Sequence, residues 1–160
     1  VIGAFGFGIR VQGTVMKQND NIALAEVIES HKIEIATQIT RQIYSQNLAY
    51  FAEIEEVKLV KLMASVITRV VNYFKTGELQ MWNSFIDEQT KFLNENGLPS
   101  RDFVKLCDVV VNEINFLVRQ AYPGEEYTPL KEKLAARLQG LYTIGILSNL
   151  NNSLRKPSAA

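Results

Sequence analysis

From Asn19 onward the apolar residues of this chain recur every three or four positions, a spacing that confines the fold to helices packed through one stripe each. The clearest stretch predicts a helix from Glu53 to Thr76. There Val60, Met63, Ile67, Val70 and Phe74 form one line, and Lys58, Lys61, Ser65, Thr68 and Asn72 lie opposite. Gly77 is placed to stop it, because a glycine just past the last turn adopts the left-handed conformation that lets orphan carbonyls find partners.

The same reading predicts four further helices. One runs from Asp20, as N-cap, to about Phe51, with Ile28, Ile35 and Ile39 in line and His31 on that line. Another begins near Glu78, turns Leu79, Trp82, Ile86 and Leu93 inward, and ends at Gly97. In "NGLPSRDF", Pro99 resists helical geometry at Leu98 and Ser100 can cap the next helix, Arg101 to Tyr122, which buries Phe103, Cys107, Val110, Ile114 and Leu117. After the Pro-Gly turn of "YPGEEYTP", Thr128 can cap a last helix with Pro129 at its first position. That helix uses Leu134, Leu138 and Leu141 and is expected to weaken through Gly145.

The expected fold is therefore all-α: a single domain of four to five amphipathic helices, in an antiparallel bundle or a globin-like packing. These two differ mainly in crossing angle, which the stripes do not specify. The helical domain is expected over residues 16–155, with an extended N-terminal arm at 1–15 and a tail at 156–160.

At 160 residues the chain can bury a core without metal or disulfide support. Its 17 basic residues cancel 17 acidic ones, so nothing favours nucleic acid or an acidic membrane surface as partner. Apolar stretches are broken by charge before the roughly 20 residues needed to cross a bilayer. Cys107 stands alone, which forbids an internal disulfide, and with His31 the only imidazole a zinc site of Cys and His ligands cannot be assembled. A soluble protein in a reducing, cytoplasmic setting is expected.

The opening "VIGAFGFGIRVQGTV" is rich in glycine but does not carry a phosphate loop. Gly6 and Gly8 begin a G-x-G-x-x-G spacing, yet Val11 takes the third glycine position and "IRVQGTV" alternates like a strand where a helix should open. Charge follows the apolar stretch at Arg10, opposite to a secretory signal. The segment reads either as an extension outside the working domain, with Met16 as the native start, or as a short edge ribbon laid on the helices, and the first reading is the one expected.

Three residues are candidates for a cofactor site. His31, in "ESHKIEIATQI", could serve as an axial haem ligand or a proton-sensitive switch, but its place between Ile28 and Ile35 favours a core histidine. A phosphotransfer histidine would face solvent, against this periodicity. Cys107 could carry a thioether-linked bilin or act in redox, although its neighbours Phe103 and Val110 favour a small buried hydrophobe. Trp82, with Phe85 and Phe92, could line a pocket for a flat ligand, with core packing the favoured alternative. The acidic pairs Glu55-Glu56 and Glu125-Glu126 have no partner base and read as solvated surface. No Ser-His-Asp order or H-E-x-x-H appears, so no enzymatic activity is expected.

From Leu24 to Tyr122 the chain resembles the N-terminal domains of RsbR-type stressosome proteins, the RsbT co-antagonist group. The likeness lies in "HKIEIATQI", "YFKTGEL", "MWNSFIDEQTKFLNENG" and "LPSRDFVKLCDVVVNEINFLV". It implies a dimeric helical sensory input domain, related to non-haem globin-like folds, acting with protein partners in a signalling complex that controls an alternative sigma factor. It implies no catalytic residues. Such domains usually precede a STAS domain, and no βα alternation for one follows in these residues. The stretch "KLCDVVVNEINFLVRQAY" is also similar to the chromophore helix of phycobiliproteins, where Arg and Asp stand two and three residues after the cysteine, but here Asp108 and Val109 follow Cys107 and the Arg that would hold a propionate is absent.

The resulting expectation is a non-catalytic, homodimeric regulatory domain of bacterial stress signalling, without cofactor, relaying a ligand or partner signal through its helices. The alternative is a tetrapyrrole sensor with haem on His31 or bilin on Cys107. The Glu53–Thr76 helix and the last helix are the expected dimer or output surfaces.

Overall fold

The computed structural model describes residues 9–155, with side-chain surroundings from Asp20 onward. Six α-helices follow one another among these residues: α1 (Ile9–Ser30), α2 (Lys32–Ser45), α3 (Glu56–Thr76), α4 (Leu79–Glu95), α5 (Ser100–Ala121) and α6 (Thr128–Leu154). Short 3-10 turns at Ala49–Phe51 and Glu125–Tyr127 precede α3 and α6. The all-α class holds.

The sixth helix arises because the expected Asp20–Phe51 helix is broken at His31. There the backbone N–H bonds to Ile28 O, three residues back, at 3.2 Å. This leaves the Val27 carbonyl without its usual donor, and the imidazole Nδ1 takes it at 2.9 Å. The second part stops at Ser45, short of Phe51, because Asn47 turns left-handed with φ 53°. Asp20 is not a cap but lies inside α1, which is helical from Ile9. The strand-like alternation of "IRVQGTV" is thus overridden, since extending an existing helix adds one hydrogen bond per residue fixed. Residues 1–8 of the expected arm and the tail at 156–160 lie outside the described residues.

Other boundaries follow local chemistry. Gly77 (φ 72°) and Gly97 (φ 90°) end α3 and α4 in the left-handed conformation, as their positions predict. Ser100 and Thr128 are not caps but first helical residues. Pro99 takes the cap position before Ser100, its carbonyl accepting from Asp102 and Phe103, and the 3-10 turn runs directly into Thr128. The last helix does not weaken at Gly145 and continues for two more turns to Leu154.

Helices α1 and α2 pack on α3 and also touch α5, forming a core in which Leu24, Ile28, Ile35, Ile39, Ile43, Leu59 and Ile67 have no or almost no exposure. Each such side chain stabilises the fold by about 1.5–3 kcal/mol relative to an exposed one. Helices α4 and α5 both pack mainly on α6, although only residues 96–99 join them. The space they leave apart is bounded by α3 on one side and α6 on the other.

Candidate functional site

That space is an apolar cavity of about 430 Å³, within the size range of small-molecule sites. Helical periodicity builds each wall. From α3 come Leu62, Met63, Ser65, Val66 and Val70, and from α4 come Trp82, Phe85, Ile86, Gln89, Phe92 and Leu93. From α5 come Phe103, Leu106, Cys107, Val110, Val111 and Ile114, and from α6 Leu138, Leu141, Tyr142 and Gly145. The turn before α3 adds Tyr50, Phe51 and Ile54.

The edge is open to solvent at Leu62 and Phe92, which are 50% and 54% exposed although their side chains line the cavity. On the α6 side Gly145 is buried, and a Cβ there would lie 3.6 Å from Ile86 Cγ1 and 3.9 Å from Cys107 Sγ. A methyl group would fit there in ordinary contact with α4 and α5, and a longer side chain would extend past it into the cavity.

No Asp, Glu, Lys, Arg or His belongs to the lining. Its polar groups include Tyr50, Ser65, Gln89, Cys107 and Tyr142, and the last two hold their protons. Burial, then the Asp108 carboxylate nearby, raises the Tyr142 phenol above its usual value, so that its hydroxyl keeps its proton. Burial pushes the Cys107 thiol up to about 12, with the neighbouring Asp108 charge adding to it. At neutral pH the sulfur is a thiol and a poor nucleophile. The wall therefore offers surface complementarity and a few hydrogen bonds but no acid–base pair.

Trp82 is almost fully buried, and its ring stands 5.7 Å from that of Phe85. Its Nε1–H donates to Leu141 O at 3.3 Å, which fixes the indole against α6. The guanidinium of Arg69 lies over the Phe85 ring, 4.9 Å from its centre.

The cavity brings Trp82 and Cys107 together and leaves His31 out. His31 is half-buried at the α1–α2 break, so its expected place in the apolar core is corrected: the break takes it out of the helical line, and its Nδ1–H satisfies the freed Val27 carbonyl. The expected burial of Cys107 and Val110 is corrected in the same way. Both are only half-buried because the neighbour they would pack against is the cavity. The cavity lining holds no imidazole and no cation that would meet a propionate, and burial raises the Cys107 thiol.

Sequence reading missed Gly145 as part of the site. The sequence did not single it out, because Gly140 in the same helix is exposed with nothing within 4 Å of a Cβ.

A second concavity, of about 420 Å³ between α2 and α5, has the opposite character, lined by Glu34, Gln38, Gln42, Glu113 and Gln120 around Phe116. Burial raises the Glu113 carboxyl there, and no basic side chain joins it. Among the described residues no three His, Cys, Asp or Glu side chains gather to hold a metal ion, and no helix is long and apolar enough to cross a membrane. No family model, curated protein or solved structure matches the chain.

Proposed function

We propose that this is a non-catalytic sensory domain whose α3–α6 cavity binds a small, uncharged, largely apolar molecule, and whose helices relay that binding to a protein partner. The single observation that carries this reading is the cavity lining, large enough for a ligand and free of ionisable carboxylate, imidazole, ammonium or guanidinium groups. A charged ligand would be desolvated there without a counter-charge, which is costly. An apolar one exchanges water for Met63, Val66, Phe85 and Ile86.

Relay follows from the architecture. Helix α6 meets the cavity through Leu141 and Gly145 and packs on both α4 and α5. A ligand that prefers one spacing of these helices shifts their population by its differential affinity for the two arrangements. The resemblance to RsbR-type input domains supports the same role in bacterial stress signalling.

The test is titration of the full chain with an uncharged fluorescent naphthylamine, read by probe emission and by energy transfer from Trp82. Saturable binding that weakens at least about tenfold in Gly145→Leu, whose side chain enters the cavity, is the expected result. Absence of saturable binding, or binding indifferent to Gly145→Leu in a folded variant, sinks the reading.

A further inference from the structure

The mouth and the closed end of the α3–α6 cavity differ in polarity, and the difference runs along two helices. The guanidinium of Arg69 on α3 lies 4.9 Å from the centre of the Phe85 ring on α4. Only residues 77–78 join these helices, so they run antiparallel. One turn back along α3 is Ser65 and one turn on along α4 is Gln89, which sets the two at one level, and Leu62 and Phe92 share the level after that. All four line the cavity, and all four are exposed.

The opposite end is different. Beyond the Arg69–Phe85 contact, toward the 77–78 turn, the lining is Val70, Trp82, Ile114, Leu138 and Leu141, each of them buried. The indole N–H, the one side-chain donor among these five, is already given to Leu141 O. Between the two ends stand Cys107, a weak donor, and Tyr142, whose hydroxyl has the Asp108 carboxylate nearby. A ligand hydroxyl carried to the closed end therefore loses its water and finds no partner, which is costly. At the mouth it keeps water and meets the Ser65 hydroxyl and the Gln89 amide, each able to donate and to accept.

We infer, resting on the reading of this cavity as a ligand site, that its ligand is a neutral amphiphile with one head: a straight chain ending in a hydroxyl or carbonyl group. The tail lies against Trp82, and the head sits between Ser65 and Gln89. Length agrees with a chain, since the lining from Leu62 to Val70 extends about 12 Å along α3 at 1.5 Å per residue. The tail exchanges water for apolar wall, and the head is the one part that needs a polar partner. A second head at the far end would be stranded at Trp82. The head is neutral because no charged side chain belongs to the lining, and Arg69 is engaged over Phe85 outside it. A carboxylate at the mouth gives up part of its water without gaining a counter-charge.

Trp82 is the only tryptophan of the chain and stands at the closed end, so its emission reports which end of a ligand arrives there. Two brominated octanols are added to the full chain, one carrying bromine at the tail and one beside the hydroxyl. Both are expected to displace the naphthylamine probe, and at saturation the tail-brominated alcohol is expected to quench Trp82 at least about threefold more. Ser65→Ala with Gln89→Met keeps the bulk of the mouth and removes its hydrogen-bonding groups. This double variant is expected to weaken octanol binding about tenfold with unchanged circular dichroism. Octanoate at neutral pH is expected to bind at least about tenfold more weakly than octanol. Saturable naphthylamine binding combined with equal or reversed quenching, with octanol binding indifferent to the double variant, or with octanoate as tight as octanol overturns the amphiphile and leaves the cavity as a ligand site. Absence of saturable naphthylamine binding removes both.

Discussion

The indole Nε1–H of Trp82 donates to the main-chain carbonyl of Leu141 at 3.3 Å, tying the first turn of α4 to the middle of α6. One residue thereby serves two purposes, since the same ring also lines the cavity. Trp82→Phe keeps an aromatic ring in the wall and removes the donor. The expected loss is about 1–3 kcal/mol, partly the hydrogen bond and partly the smaller ring. A urea midpoint that falls with an unchanged slope is the measurement, and an unchanged midpoint contradicts the role given to the bond.

At Gly145 the geometry predicts a gain. The contacts a Cβ would make with Ile86 and Cys107, 3.6 and 3.9 Å, are ordinary van der Waals distances, and the backbone there is helical. Gly145→Ala should therefore raise stability by about 0.5–1 kcal/mol through the lower backbone entropy of the unfolded chain. Thermal unfolding checks this, and naphthylamine binding should survive, in contrast to Gly145→Leu. A destabilised Gly145→Ala protein means that α4 and α5 approach α6 too closely for even a methyl group.

Among the described residues, a polar contact network between α4 and α6 reaches a fully buried site. Thr90 has no exposure, and its hydroxyl lies 3.1 Å from Ser148 Oγ while accepting from Asn152 at 2.7 Å. Thr90→Val retains the shape and removes both contacts while Ser148 and Asn152 keep Asp87 as acceptor, so a loss of about 0.5–1.5 kcal/mol is expected. Combining it with Asn152→Ala should cost less than the sum of the two single changes, because both remove the same bond. Additive costs in denaturant unfolding count against a coupled network.

Cys107 sets an alkaline limit on stability. Its thiol ionises near 9.0 when unfolded and at about 12 when folded. Between these values the unfolded chain has lost its proton while the folded chain keeps it, so stability falls as pH rises, by about 1.4 kcal/mol for each pH unit. Below 9.0 the thiol contributes no such loss. The difference between the parent chain and Cys107→Ala, followed by urea unfolding from neutral pH upward, isolates this slope from the lysines and tyrosines that titrate in the same range. Equal slopes in the two proteins would falsify the burial of the sulfur.

The helical class and most of the stripes were legible in sequence. Met63, Ile67, Val70 and Phe74 are buried as their spacing predicts, and Gly77 and Gly97 stop their helices. The break at His31 was not legible, because a helix interrupted for one residue keeps its apolar line on both sides: Ile28 and Ile35 are buried across it. The cavity was half legible. The spacing of Trp82, Phe85 and Phe92 suits an aromatic wall or core equally, and the structure makes them wall. Cys107 and Val110 read as core because a stripe facing a cavity and a stripe facing a neighbour have the same period.

Periodicity along the chain determined by itself that this protein is built of helices, where most of them stop, and which side of each avoids water. Those are local properties, set by side-chain spacing and by the few residues that accept left-handed backbone. Only the tertiary structure decided that α4 and α5 rest on α6 and leave a cavity between them, and that the polar residues near the end of α6 turn inward. Both depend on how far apart packed helices stand and which neighbour each stripe meets. Spacing within one helix carries no record of that distance.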